Sequence, residues 1–166
     1  MKFLRFIAKA TAHPGVAERD KATAFSYVAL QAVLLSVLLL VNLRGGFEIK
    51  KLLVIGTIFE WSGGLGILIA AYSIRTSLTA LPLPKEHGKL ATRGLYRYVR
   101  HPMYSSVLLL SLGSALLSGQ AFKYLLVGAL AGLFYYKSVY EERYLTAKYP
   151  GYQAYAKKTG RFIPFL

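Results

Sequence analysis

The sequence predicts an all-α integral membrane protein with four transmembrane helices, both termini in the cytoplasm, and a C-terminal helical hairpin followed by a cytoplasmic tail. Three observations predict it. Of the 166 residues 55% are hydrophobic and 17% charged, with no cysteine. That excludes a disordered basic tail, which is poor in apolar residues, and a disulfide scaffold. The apolar residues fall in long runs rather than in short amphipathic stretches. The 21 Lys and Arg outnumber the 7 Asp and Glu, for a net charge of +14, and these bases are sorted by side of a membrane. Charge alone would suggest a nucleic-acid binder, but the apolar runs contradict it. Neither a nucleic-acid partner nor a metal is expected.

Taken in order, residues 1–22 are a basic segment with neither the sustained apolar stretch nor the small-residue cleavage site of a secretory signal; it reads as an amphipathic helix on the membrane surface. Residues 23–80 hold the first two spans. Positions 24–43 contain no Asp, Glu, Lys or Arg, and 52–74 contain a single charge, Glu60. About 20 apolar residues cross a hydrocarbon core of ~30 Å. Residues 81–166 open with Pro82, Pro84, Gly88 and Gly94, which argue against a continuous helix. A third span over 103–118 and a fourth over 122–136 follow, separated by Ser118-Gly119-Gln120, and a tail closes the chain. Arg44, Lys50, Lys51 and Lys123 fall in the two outer turns, whereas every other Lys and Arg falls in the N-terminal, middle or C-terminal segment. The positive-inside rule therefore places those three segments in the cytoplasm.

With no large loop, a site must form where helix ends meet the cytoplasmic interface. Pro102 suits the first turn of the third span, where its missing N–H costs nothing. The positive end of that helix, beside Arg100 and His101, makes an anion site. His101 and Tyr104 share a face. At 1.5 Å per residue the two arms of the hairpin are roughly 25 and 30 Å long, which returns Glu141 and Glu142 to the depth of His101. Donors and carboxylates side by side are the complement of a zwitterionic amino acid, and Lys137 lies one turn before Glu141. Simpler readings compete: the bases as interfacial anchors, the glutamates as a solvated helix end, His101 as a satisfied interfacial histidine. Glu60, a carboxylate inside a span, either lines the substrate cavity or pairs with a tyrosine hydroxyl or Lys51. Gly63-Gly64-Leu65-Gly66 suits close helix packing and is no dinucleotide fingerprint, since no strand precedes it.

The order Thr92-x-Gly94-x-Tyr96-x-x-x-Arg100-His101-Pro102-x-Tyr104, then Glu141-Glu142-x-x-Leu145, Tyr149-x-Gly151-Tyr152-x-x-Tyr155 and Ile163-Pro164 resembles the isoprenylcysteine carboxyl methyltransferase family, itself related to membrane phospholipid N-methyltransferases. The resemblance runs from Pro82 to the end; residues 1–73 carry no matching motif. It implies an enzyme using S-adenosylmethionine and releasing S-adenosylhomocysteine. Cofactor contacts carry over to Gly88, Lys89, Leu90, Ala91, Tyr96, His101, Pro102, Met103, Tyr104 and Glu141, with Glu142 completing the acidic pair and Arg100 beside them. Lys137 holds the substrate-contacting position, arginine in the isoprenylcysteine enzymes; lysine keeps the charge but loses the planar fork suited to a carboxylate. Glu60 is the second substrate candidate, and the glycine pair at 63–64 resembles one that contacts cofactor in the phospholipid enzymes. The implied acceptor is lipid-like or prenylated and enters from the bilayer, in the inner membrane of a prokaryote or the endoplasmic reticulum of a eukaryote, with the site on the cytoplasmic side. Alternatives are phosphatidylethanolamine N-methylation, a relative of the membrane lipid and sterol reductases, and a non-enzymatic membrane assembly protein.

Overall fold

The computed structural model describes residues 18–41, 50–75, 81–84 and 88–165. Residues 1–17 of the surface segment expected over 1–22, and residues 42–49 of the first outer turn, lie outside the described residues, while Lys50 and Lys51 begin the second apolar helix. Among the described residues five α-helices follow one another: α1 (Glu18–Leu40), α2 (Lys50–Ser73), α3 (Pro102–Ser118), α4 (Ala121–Lys148) and α5 (Tyr152–Ala156), with a 3₁₀ turn at Gly94–Arg97. Glu18 and Asp20 occupy the first turn of α1, where carboxylates favour the helix dipole. Residues 18–22, expected in the surface segment, are thus continuous with the first apolar helix.

Both α1 and α2 are long and apolar enough to cross a membrane. Their outward residues include Leu40, Trp61, Leu68 and Tyr72, all strongly exposed. An apolar surface of this extent is what a lipid environment would cover. The third helix has 17 residues. The fourth has 28 and continues about three turns past its expected end at position 136, so that Lys137, Glu141, Glu142 and Leu145 ride on one rigid rod.

The closest packing is between α2 and α3, and small residues make it possible. A Cβ placed on Gly63 would come within 2.7 Å of the Ser106 carbonyl oxygen and closer still to the Leu110 amide nitrogen; one on Gly113 would sit 2.5 Å from the Glu60 amide nitrogen. The two backbones are therefore in direct contact, the arrangement that small residues permit where lipid tails offer no hydrophobic drive. This is the packing reading of the Gly63–Gly66 cluster. On the other side, α1 meets α4 through Leu38, Leu130 and Phe134, and Ala24 packs with Leu81 and Leu83. The α3–α4 turn closes at Gly119, left-handed at φ 61°, whose N–H reaches the Ala115 carbonyl at 3.0 Å. Glycine takes that conformation without the Cβ penalty.

The tail folds back on the start of α3. Val99 and Gly160 form a parallel bridge; the Arg100 and His101 amides donate to the Gly160 and Arg161 carbonyls at 2.8 and 3.1 Å. The Ser105 hydroxyl adds a bond to the Phe162 carbonyl at 2.7 Å. Two tail tyrosines then fasten the irregular segment, Tyr149 donating to the Gly88 carbonyl at 2.7 Å and Tyr155 to the Tyr96 carbonyl at 2.6 Å.

Candidate active site

A cavity of about 410 Å³ lies where α1, α2, the 81–101 segment, α3, α4 and the tail converge. That volume falls within the ~300–1,000 Å³ of small-molecule sites. Lys89, Leu90, Ala91, Tyr96, Arg100, His101, Met103, Tyr104, Lys137 and Glu141 all line it. Gly88 stands behind this wall, its carbonyl held by Tyr149. Pro102 is buried at the first turn of α3, and so shapes the helix start without reaching the cavity.

Glu142 is also outside the lining, and its role is to hold other residues still. It accepts from Arg100 Nε at 2.9 Å and from Arg161 Nη2 at 2.8 Å, and lies 3.1 Å from His101 Nε2. Burial pushes its carboxyl up, but the hydrogen bonds and charge of His101 and Arg100 outweigh that and hold it at about 2. Arg100 spends its Nη1 on the Ala156 and Thr159 carbonyls. The guanidinium expected to serve an open anion site therefore also clamps the tail onto the acidic pair, because three acceptors on α4 and the tail converge on it.

Glu141 faces the cavity. Its Oε2 accepts from the Tyr104 hydroxyl at 2.9 Å and lies 3.6 Å from His101 Nδ1. The two glutamates thus flank one imidazole, one on each ring nitrogen. That ring stacks on Tyr104 with centroids 5.3 Å apart, and Tyr104 stacks on Phe134 at 4.8 Å. Lys137, only 5% exposed, points its ammonium at Gln31 Oε1, 2.5 Å away, and at the Tyr104 ring, 5.0 Å to the centroid.

Sequence reasoning missed Gln31, Val28 and Ile67, and it held Tyr149, Tyr152 and Tyr155 only as parts of a motif, without placing them in the site. Gln31 carried one usable signal, an amide in an uncharged apolar run. Tyr152 is 3% exposed and lines the cavity, and its hydroxyl has no hydrogen-bond partner among the described residues. Glu60 is not brought to this cavity; its backbone lies against Gly113 on the α2–α3 contact.

Two helices long enough to cross a membrane, α1 and α2, contribute to a cavity lined by His101, Tyr104 and Glu141, with Glu142 bonded to His101 from outside the lining. Residues 52–151 match the family described as phospholipid methyltransferase, and the chain belongs to that family. The match extends across α2, beyond the C-terminal stretch that carries the sequence motifs. The chain is also 31% identical over 84 residues to protein-S-isoprenylcysteine O-methyltransferase B of Arabidopsis thaliana, a stretch covering 49% of this chain and 43% of the relative. The chain therefore spans less than half the length of that relative.

Proposed function

We propose that this chain is an integral membrane methyltransferase that uses S-adenosylmethionine to methylate an amphipathic, lipid-like acceptor, most like the isoprenylcysteine carboxyl O-methyltransferases. The observation that carries the reading is the cavity itself, where Glu141, Tyr104, Lys137 and the partnerless Tyr152 hydroxyl meet. The donor set suits the cofactor: Glu141 Oε1 takes no part in the Tyr104 and His101 contacts and would hold an ammonium, and the Tyr152 hydroxyl would gain the partner it lacks. Bound there, S-adenosylmethionine would supply a methyl whose sulfonium leaving group needs no protonation.

The remaining work belongs to the protein: alignment of the acceptor and exclusion of water. Tyr104, stacked between His101 and Phe134, fixes the orientation of Glu141. Lys137 offers a positive charge to an anionic acceptor group, with Gln31 holding the ammonium in place. Leu81, Leu83 and Val28 close the apolar side, where an acceptor tail would enter from the bilayer. A carboxylate acceptor needs no general base, which accords with a site whose cation and carboxylate are both committed to binding. Four spans with both termini in the cytoplasm belong to the same proposal, supported by the sorting of the bases and by α1 and α2.

Phosphatidylethanolamine N-methylation is the second reading, favoured by the family match and by lysine at 137. Calorimetry on the purified protein in detergent should detect S-adenosylhomocysteine binding that Glu141→Ala abolishes. Absence of binding to the unaltered protein at millimolar cofactor sinks the methyltransferase reading. Transfer of labelled methyl to a prenylcysteine analogue or to a total lipid extract separates the two acceptors, and label in a phospholipid headgroup overturns the first.

A further inference from the structure

A second cleft, of about 320 Å³, adjoins the active-site cavity and shares Ile74 and residues 89–91 with it; Tyr72, Ser73, Arg75 and 92–94 complete its lining. We infer that this cleft is a phosphate-binding site, separate from the catalytic cavity, that takes the headgroup phosphate of an anionic lipid.

Its charge is one-sided. Arg75, Lys89 and Arg93 all line it, and among the described residues no Asp or Glu does. A helix C-terminus draws cations for its own sake, and that would account for Arg75 just beyond the end of α2. It does not account for Lys89 and Arg93, which arrive from a separate segment. Gly94 brings that segment in: at φ +62° it takes a conformation rare for other residues, and a Cβ there would lie 3.2 Å from Ser73 Oγ. Arg75 is partly preorganised, its Nη1 on the Tyr72 carbonyl at 3.2 Å and its guanidinium 4.2 Å from the Tyr72 ring centroid. The rest of the fork suits bidentate contact with phosphate oxygens. Tyr72 lines the cleft and Leu68 lies one turn before it on α2, both 68% exposed, at the end of a helix long enough to cross a membrane. An exposed aromatic there marks headgroup depth.

The test uses the full chain in detergent with neither methyl donor nor acceptor, so its outcome is independent of the methyltransferase reading. Retention of phosphatidylglycerol and of phosphatidylcholine is measured by native mass spectrometry. The unaltered protein should prefer the anionic lipid, and Arg75→Gln with Arg93→Gln should lower its retention about tenfold, the scale of lost charge-assisted hydrogen bonds. Lys157→Gln with Lys158→Gln removes the same charge from the exposed tail and should change it less than about twofold, as expected for screened surface charge. Should the first pair fail to fold, Arg93→Gln alone is read against Lys157→Gln. Displacement by millimolar inorganic phosphate assigns the same site to the free ion, and retention assigns it to the lipid. Equal loss in both charge-removal pairs, no preference for the anionic lipid, or competitive release of lipid by S-adenosylhomocysteine each overturns the inference.

Discussion

At the scale of single residues, the hydroxyl of Tyr152 is the most informative atom in the site. A buried hydroxyl with no partner destabilises a fold by about 1–3 kcal/mol relative to one that is satisfied. Tyr152→Phe should therefore raise the melting temperature of the cofactor-free protein while weakening S-adenosylhomocysteine binding several-fold. A drop in both would mean that the hydroxyl serves the fold. Glu142 makes the opposite case, a residue spent on structure. Its carboxyl is held at about 2, below the ordinary 4.5, so the stability it adds is complete above pH 4.5 and is lost as pH falls through about 2. Melting curves of the unaltered protein and Glu142→Gln should accordingly be well separated at neutral pH and converge in that acid window. The adjacency of Glu141 and Glu142 in sequence hides this division of labour: consecutive helical residues point about 100° apart, so one reaches the cavity while its neighbour reaches Arg100 and Arg161.

At the scale of elements, the α2–α3 contact and the reach of α1 make separate predictions. Gly63→Ala forces a methyl against the Leu110 and Ser106 backbone, and overpacking of this kind costs about 1–3 kcal/mol. Gly128→Ala, on α4 with nothing within 4 Å of its virtual Cβ, should instead gain about 0.5–1 kcal/mol from helix propensity. Thermal unfolding of the pair distinguishes packing from propensity. Gln31→Leu removes the partner of the Lys137 ammonium; acceptor KM should rise several-fold while S-adenosylhomocysteine affinity holds, because Glu141 and Tyr152 lie on other elements. Among these features, the glycine cluster was legible as a packing face from its spacing. The role of α1 was not, because Gln31 and Lys137 are 106 positions apart and no local pattern relates them.

At the scale of the whole molecule, orientation is the property to test. The chain has no cysteine, so a single introduced one reports without ambiguity. In intact cells a membrane-impermeant maleimide should label Ala121→Cys, at the first residue of α4, and spare Lys157→Cys in the tail. The same label at both positions rules out the four-span topology. What the sequence determined by itself was the helical character of the chain and its two helices long and apolar enough to cross a membrane, since run length is a local sum over neighbouring residues. It also determined the members of the site that share a helix turn, His101 with Tyr104 and Lys137 with Glu141. Only the tertiary structure decided that Arg100 turns back to clamp the tail, that Glu60 stays on a helix contact away from the cavity, and that α1 and the tail tyrosines complete the walls. Those outcomes depend on which distant backbones approach one another, and here that approach is set by direct glycine contacts between α2 and α3 and by a short parallel bridge between Val99 and Gly160.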